Sequence, residues 1–310
     1  MKKLICICLA LVFVIGALVS CNRSDAEEKP TEELEFHLLD DGTYGVSAGD
    51  AKDFEKIVIP ATHEDKVVTT IMDKAFYEAK NIKSITVPDS VTRIGAYAFA
   101  ECSGLKKLTI GNGVVFVGVA AFNNCSNLEY NKYENGYYLG NKSNPYVILV
   151  FANAALAAET TEFFIHEATR IIHFAAFCKY CNLKRITIPN GVICIGEDAF
   201  IYCDSLTSVT IPDSVTSVCN AAFFKCSNLE SVKFGNGVTC INEDMFYECA
   251  NLETVELPAG LKSIENGAFA RCSNLKQIKF GGTEAEWDAV SKPAVWGIDE
   301  NQYTIVCNGQ

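Results

Sequence analysis

The sequence predicts an α/β solenoid in which each coil of 23 residues contributes a short strand to one parallel sheet. Three observations carry this. Phenylalanines preceded by Ala, or in one coil by Met245, recur at Phe76, Phe99, Phe122, Phe177, Phe200, Phe223, Phe246 and Phe269, with every step 23 residues except one of 55. Six residues after each Phe stands an aliphatic side chain, from Ile82 and Leu105 through to Leu275. Aliphatics then return three and five residues further on, as at Ile186 and Ile188 or Val209 and Ile211, before a Pro or Gly. The last pattern has period two, so its aliphatics face inward and the residues between them outward. A unit this small cannot bury its own apolar face, so stacked units must share one core.

The chain starts with a basic "MKK" and the apolar run "LICICLALVFVIGALVS", which has the charge and length of a signal peptide and covers residues 1–20. Its end, "LVSCN", has lipobox spacing, with Leu18 three residues before Cys21. Cleavage before Cys21 would leave a thiol to accept the lipid, and two or three acyl chains hold a protein stably on a membrane. Residues 21–33 are polar and acidic, as a flexible tether requires. Removing Lys2 and Lys3 leaves 24 basic against 38 acidic residues, a net charge of −14. Such a surface disfavours nucleic acid and anionic lipid as partners.

Residues 34–60 form an N-terminal cap, with "FHLLDDGTYGV" as a hairpin turning at Asp41-Gly42. The solenoid follows over residues 61–280. Its 55-residue step holds 32 extra residues, an insert at about 129–162. Within it "GYYLGNKSNPYVILVF" predicts a hairpin: a strand at Tyr137–Leu139, a turn with Gly140, Asn144 and Pro145, and a strand at Tyr146–Phe151. Residues 281–310 close the stack. Thr283 and Glu286 have capping-box spacing for a short helix carrying Trp287, with a final strand near Tyr303–Cys307.

The chain holds 15 cysteines. Cys102, Cys125, Cys203, Cys226, Cys249 and Cys272 each sit three residues after the repeat Phe, where other coils have Ala79 or Tyr180. A slot that accepts Ala favours a ladder of small, buried, reduced thiols over disulfides or a metal site. Cys178 and Cys181 form a lone C-x-x-C without the second pair or histidines that zinc requires.

With these motifs in view, "LTSVTIPDSVTSVCNAAFFKCSNLESVKF" resembles the BspA-like, or Treponema-type, leucine-rich repeat, over about residues 57–280. The resemblance implies a leucine-rich-repeat solenoid of a kind mostly secreted or surface-attached, with adhesion among its functions.

Catalysis has no visible constellation. The outward strand positions are Ser, Thr and scattered charges, such as Ser208, Thr210, Lys233 and Glu256. His166 falls in a slot that other coils fill with Pro or Gly, and His173 in one where several have Gly95, Gly118 or Gly196, so both read as turn residues, and no catalytic, metal or cofactor motif is present. The expected protein is a bacterial extracytoplasmic lipoprotein, a monomer bound to its membrane through Cys21, that recognises an extracellular protein or glycan. A hydrolase or glycan-processing enzyme on a solenoid scaffold, or a passive surface component, are the competing classes. Tyrosine buries a large area with few rotors. The insert's Tyr137, Tyr138 and Tyr146 are therefore the expected partner contacts.

Overall fold

The structure is a computed structural model that describes residues 29–297 and 303–308. The signal segment, Cys21 and most of the tether lie outside the described residues. No helix among the described residues is long and apolar enough to cross a membrane.

Each regular coil carries two strands rather than the expected one. The first ladder contains the predicted strands, including Lys56–Val58, Ser84–Thr86, Lys107–Thr109, Ser208–Ile211, Ser231–Phe234, Thr254–Leu257 and Gln277–Phe280. Neighbours pair in parallel and in strict register, as Val209 with Val232 and Val232 with Val255. The second ladder is built from two-residue strands such as Arg93–Ile94, Cys194–Ile195, Ser217–Val218 and Cys240–Ile241, again parallel. The inward Val and Ile of both ladders are almost wholly buried, as at Val209, Val218, Val232 and Ile241.

Turns, not helices, join the second ladder back to the first, and among the described residues the α component is confined to Glu284–Ala289 in the C-terminal cap. Each turn holds two left-handed residues. One series runs Lys74, Tyr97, Ala120, Ala175, Asp198, Ala221 and Asp244, at φ between 51° and 56°. The other runs Glu78, Glu101, Asn124, Lys179, Tyr202, Lys225, Glu248 and Arg271, at φ between 56° and 62°. A side chain in this region costs roughly 1–2 kcal/mol, so the surroundings must impose it. They do so through backbone bonds between neighbouring coils: the N–H groups of Ala221, Phe223 and Lys225 donate to Glu243, Met245 and Tyr247 at 2.9, 3.0 and 2.8 Å.

The repeat phenylalanines stack along the core. Phe200 and Phe223 lie 5.0 Å apart with planes 2° from parallel, and Phe223 and Phe246 5.6 Å apart. All six ladder cysteines are free and buried. Each donates its S–H to the repeat Phe carbonyl of the coil before, from Cys102 to Phe76 at 2.9 Å through to Cys272 to Phe246 at 3.1 Å. This slot needs a small side chain, and cysteine alone among the small apolar residues also supplies a donor.

The insert is more than a hairpin. Asn131–Tyr133, Gly136–Leu139 and Ile148–Ala152 form an antiparallel meander. Its third strand runs on parallel to Ile171–Ile172 and so rejoins the second ladder. At the other end of the middle strand, Gly140 bridges to Thr109 of the first ladder. The insert therefore occupies a coil's place in the stack while bringing a different turn.

Both ends are closed. The N-terminal hairpin Glu35–Leu38 and Tyr44–Ser47 turns at Asp41-Gly42, where Gly42 has φ 82°. Thr283 and Glu286 make the capping box. Trp287 and Trp296 are buried, and Trp296 meets the last repeat ring, Phe269, edge-on at 5.9 Å.

Candidate functional site: the first-ladder face and the insert

The outward residues of the first ladder line two grooves. The C-terminal one, about 1060 Å³, runs from Glu162 and Arg185 across Ser208, Thr210 and Lys233 to Glu256 and Lys279. Glu256 is held between Lys279 at 3.2 Å and Lys233 at 3.5 Å. The Lys279 hydrogen bond, above all, holds its carboxyl below the usual carboxylate range. A carboxylate fixed in its charged form between two cations is suited to organising a surface and not to donating protons. The N-terminal groove, about 1410 Å³, is bordered by Lys106, Lys107, Lys142 and Glu129, with Tyr130 and Pro88 in its wall.

One aromatic on this face was not singled out from the sequence. Phe164 closes the strand Glu162–Phe164, pairs in register with Thr187, and is 55% exposed. It stands beside Phe163 in "TTEFFI", and only the pairing register and burial show that Phe163 points in and Phe164 out.

The three tyrosines of the insert separate. Tyr138 is fully buried and packs in the core with Leu149, Ala152 and Phe163, which removes it as a partner contact. The physical reason is strand alternation: adjacent residues of Gly136–Leu139 face opposite sides. Tyr137 and Tyr146 are half-buried. Tyr137 stacks on Phe151 at 4.8 Å, and Lys132 lies 5.2 Å over its ring. Tyr146 stacks on His166 at 3.9 Å.

His166 is a turn residue whose Nδ1 accepts from the Ala168 N–H at 3.1 Å. His173 does more than turn the chain. Three coils have glycine in this slot, Gly95, Gly118 and Gly196, where a Cβ at Gly118 would stand 2.5 Å from the Ala96 nitrogen, while others hold Met72, Cys219, Asn242 and Glu265. The coil before His173 is the insert strand, whose Leu149 carbonyl accepts its N–H at 2.9 Å. The ring reaches past the insert, places Nε2 3.3 Å from the Gly118 carbonyl, and packs on Phe122 at 5.0 Å. Burial pushes its pKa down to about 4.

Cys178 and Cys181 are exposed. No group of three or more metal-ligating side chains occurs among the described residues.

Comparison with known proteins agrees with this architecture. The model of the BspA type leucine rich repeat region matches residues 50–143 and 155–288, in six copies. The chain belongs to this family. The match breaks within the insert, where the meander replaces a regular turn. The chain is also similar to solved structures at low identity. The T. pallidum leucine rich repeat protein is 21% identical, covering 87% of this chain and 99% of that one, with a TM-score of 0.33. A leucine rich cell surface protein from Faecalibacterium prausnitzii is 22% identical, covering 86% and 99%, with a TM-score of 0.34. The pneumococcal vaccine antigen PcpA is 14% identical, covering 91% and 98%, with a TM-score of 0.41. No curated protein matches the chain.

Proposed function

We propose that this BspA-type chain is a membrane-anchored, extracytoplasmic recognition scaffold that binds a protein or glycan through its first-ladder face, in adhesion or surface recognition. A lipid on Cys21 is its anchor in this reading, and residues 22–33 hold the solenoid off the membrane. The observation that carries the reading is Phe164. An aromatic more than half exposed, beside a groove of hydroxyls and paired charges, is what an anchor residue needs. A passive coat has no use for it. Tyr137 and Tyr146 extend the aromatic character into the insert. Solenoids of this kind present a broad curved surface, which suits macromolecules better than small substrates.

The test is a binding panel of matrix proteins, bacterial surface proteins and glycans, probed with the wild-type protein and with Thr210→Trp. The bulky ring blocks the middle of the C-terminal groove without touching the core. Binding to one ligand class, weakened at least about ten-fold by the substitution, supports the reading. Wild-type binding that Thr210→Trp leaves intact overturns the placement of the site.

A further inference from the structure

Every step between regular coils carries three backbone hydrogen bonds at two-residue spacing on the turn side. The N–H groups of Tyr97, Phe99 and Glu101 donate to Val119, Ala121 and Asn123 at 2.9, 2.9 and 2.8 Å. The next three donors in the series are Ala120, Phe122 and Asn124. Among the described residues they have no acceptor. The reason is the insert: its strand Ile148–Ala152 follows here in place of a regular turn, so the carbonyls that would meet them are missing.

A cavity of about 470 Å³ opens at this place. The three donor residues belong to one wall, and Tyr130, Phe151, His173 and Phe174 to the rest. No Lys, Arg, Asp or Glu lines it. It lies on the turn side, shares no lining residue with the C-terminal groove, and meets the N-terminal groove at Tyr130 alone.

We propose that this notch is a peptide-binding site, in which an extended segment of another protein lies along the open turn edge as the missing coil would. Alternate backbone carbonyls of the segment accept from Ala120, Phe122 and Asn124, and an apolar or aromatic side chain enters the cavity. The choice of ligand follows from the donors. Three N–H groups two residues apart match the carbonyl repeat of a polypeptide, and main-chain addition to an open edge is an established recognition mode. An acyl chain or a small aromatic would fill the apolar volume and leave all three donors unpaired. An acidic polysaccharide would find no cation in the lining. The best-fitting side-chain pattern is that of the repeat itself, a small residue followed by Phe, as in Ala268-Phe269.

The experiment follows amide hydrogen exchange in the purified protein with and without the peptide acetyl-Gly-Ala-Phe-Ala-Arg-amide. Without peptide, Ala120, Phe122 and Asn124 exchange much faster than Tyr97, Phe99 and Glu101. Millimolar peptide is expected to slow the first three by at least about ten-fold. Asn123→Trp changes an exposed residue at the cavity rim. It is expected to block this slowing while leaving the exchange of Tyr97, Phe99 and Glu101 as it was. Unchanged exchange at the three amides in the wild type, or slowing that survives Asn123→Trp, overturns the proposal.

Discussion

The thiol of Cys226 lies 3.2 Å from the carbonyl of Phe200, one coil back, and donates to it. The same bond recurs at every ladder cysteine, so these thiols are structural parts of the stack. Burial raises all of their pKa values, to about 11 for Cys102 and about 12 for Cys125 and Cys272. Only the thiolate attacks, so a buried thiol of this kind is inert. A thiol reagent added to the native protein is expected to label the exposed Cys178 and Cys181 quickly, and the six ladder cysteines only after unfolding. Fast native labelling of Cys226, or an intact mass showing disulfides among the ladder cysteines, would count against the arrangement.

The left-handed turn residues predict stabilisation by glycine. Ala221 stands at φ 53°. Ala221→Gly removes a left-handed cost of roughly 1–2 kcal/mol and adds unfolded-state entropy of roughly half that size. The net expectation is a gain of about 0.5–1 kcal/mol in denaturant unfolding. A loss of stability would mean that the turn conformation is wrong at that coil.

His173 predicts acid sensitivity near the insert. Its folded pKa, about 4, lies below the ordinary value of 6.5. The unfolded chain therefore takes up a proton between these values and the folded chain does not. Stability is complete above about pH 6.5 and falls as the pH drops toward 4, by about 3 kcal/mol over the whole window. His173→Gln is expected to flatten this slope between pH 6.5 and 4.5, even if it lowers stability at neutral pH. An unchanged slope in the variant would assign the acid loss to other groups.

Cys21→Ala is expected to abolish metabolic acyl labelling and release the protein from the membrane fraction. Acyl label that survives the substitution would remove Cys21 as the attachment point.

Much of this fold was legible because one coil's constraints repeat. Phe, Cys and the period-two aliphatics each answer to a fixed core position, so the register from Phe76 to Phe269 could be counted off directly. The second ladder was hidden because Arg93–Ile94 and its equivalents are two residues long, too short to show a period. The left-handed turns were hidden because Glu78, Tyr202, Lys225 and Arg271 occupy them, and none is glycine. Their conformation comes from bonds between neighbouring coils and not from local preference. In the insert, a tyrosine count did not reveal facing. The pairing of Tyr137 with Phe151 and the burial of Tyr138 follow from a meander whose first strand has only three residues. Phe164 was missed for a similar reason, since its exposure depends on the alternation that puts Phe163 inside.

The measurement that bears most directly on surface recognition pairs affinity with melting temperature for Phe164→Ala, Tyr137→Ala, Tyr146→Ala and Tyr138→Ala, using the ligand found in the binding panel. Phe164→Ala removes an exposed ring, so its stability should stay within roughly 0.5 kcal/mol of the wild type. Its affinity should fall by about 2 kcal/mol or more if it is a central anchor. Tyr138→Ala should do the reverse in kind, costing roughly 3–5 kcal/mol of stability as a buried aromatic. Tyr137→Ala and Tyr146→Ala should weaken binding more than they lower the melting temperature. Full affinity in Phe164→Ala, Tyr137→Ala and Tyr146→Ala, with the wild type binding normally, would contradict recognition through this face and leave the exposed aromatics without a role.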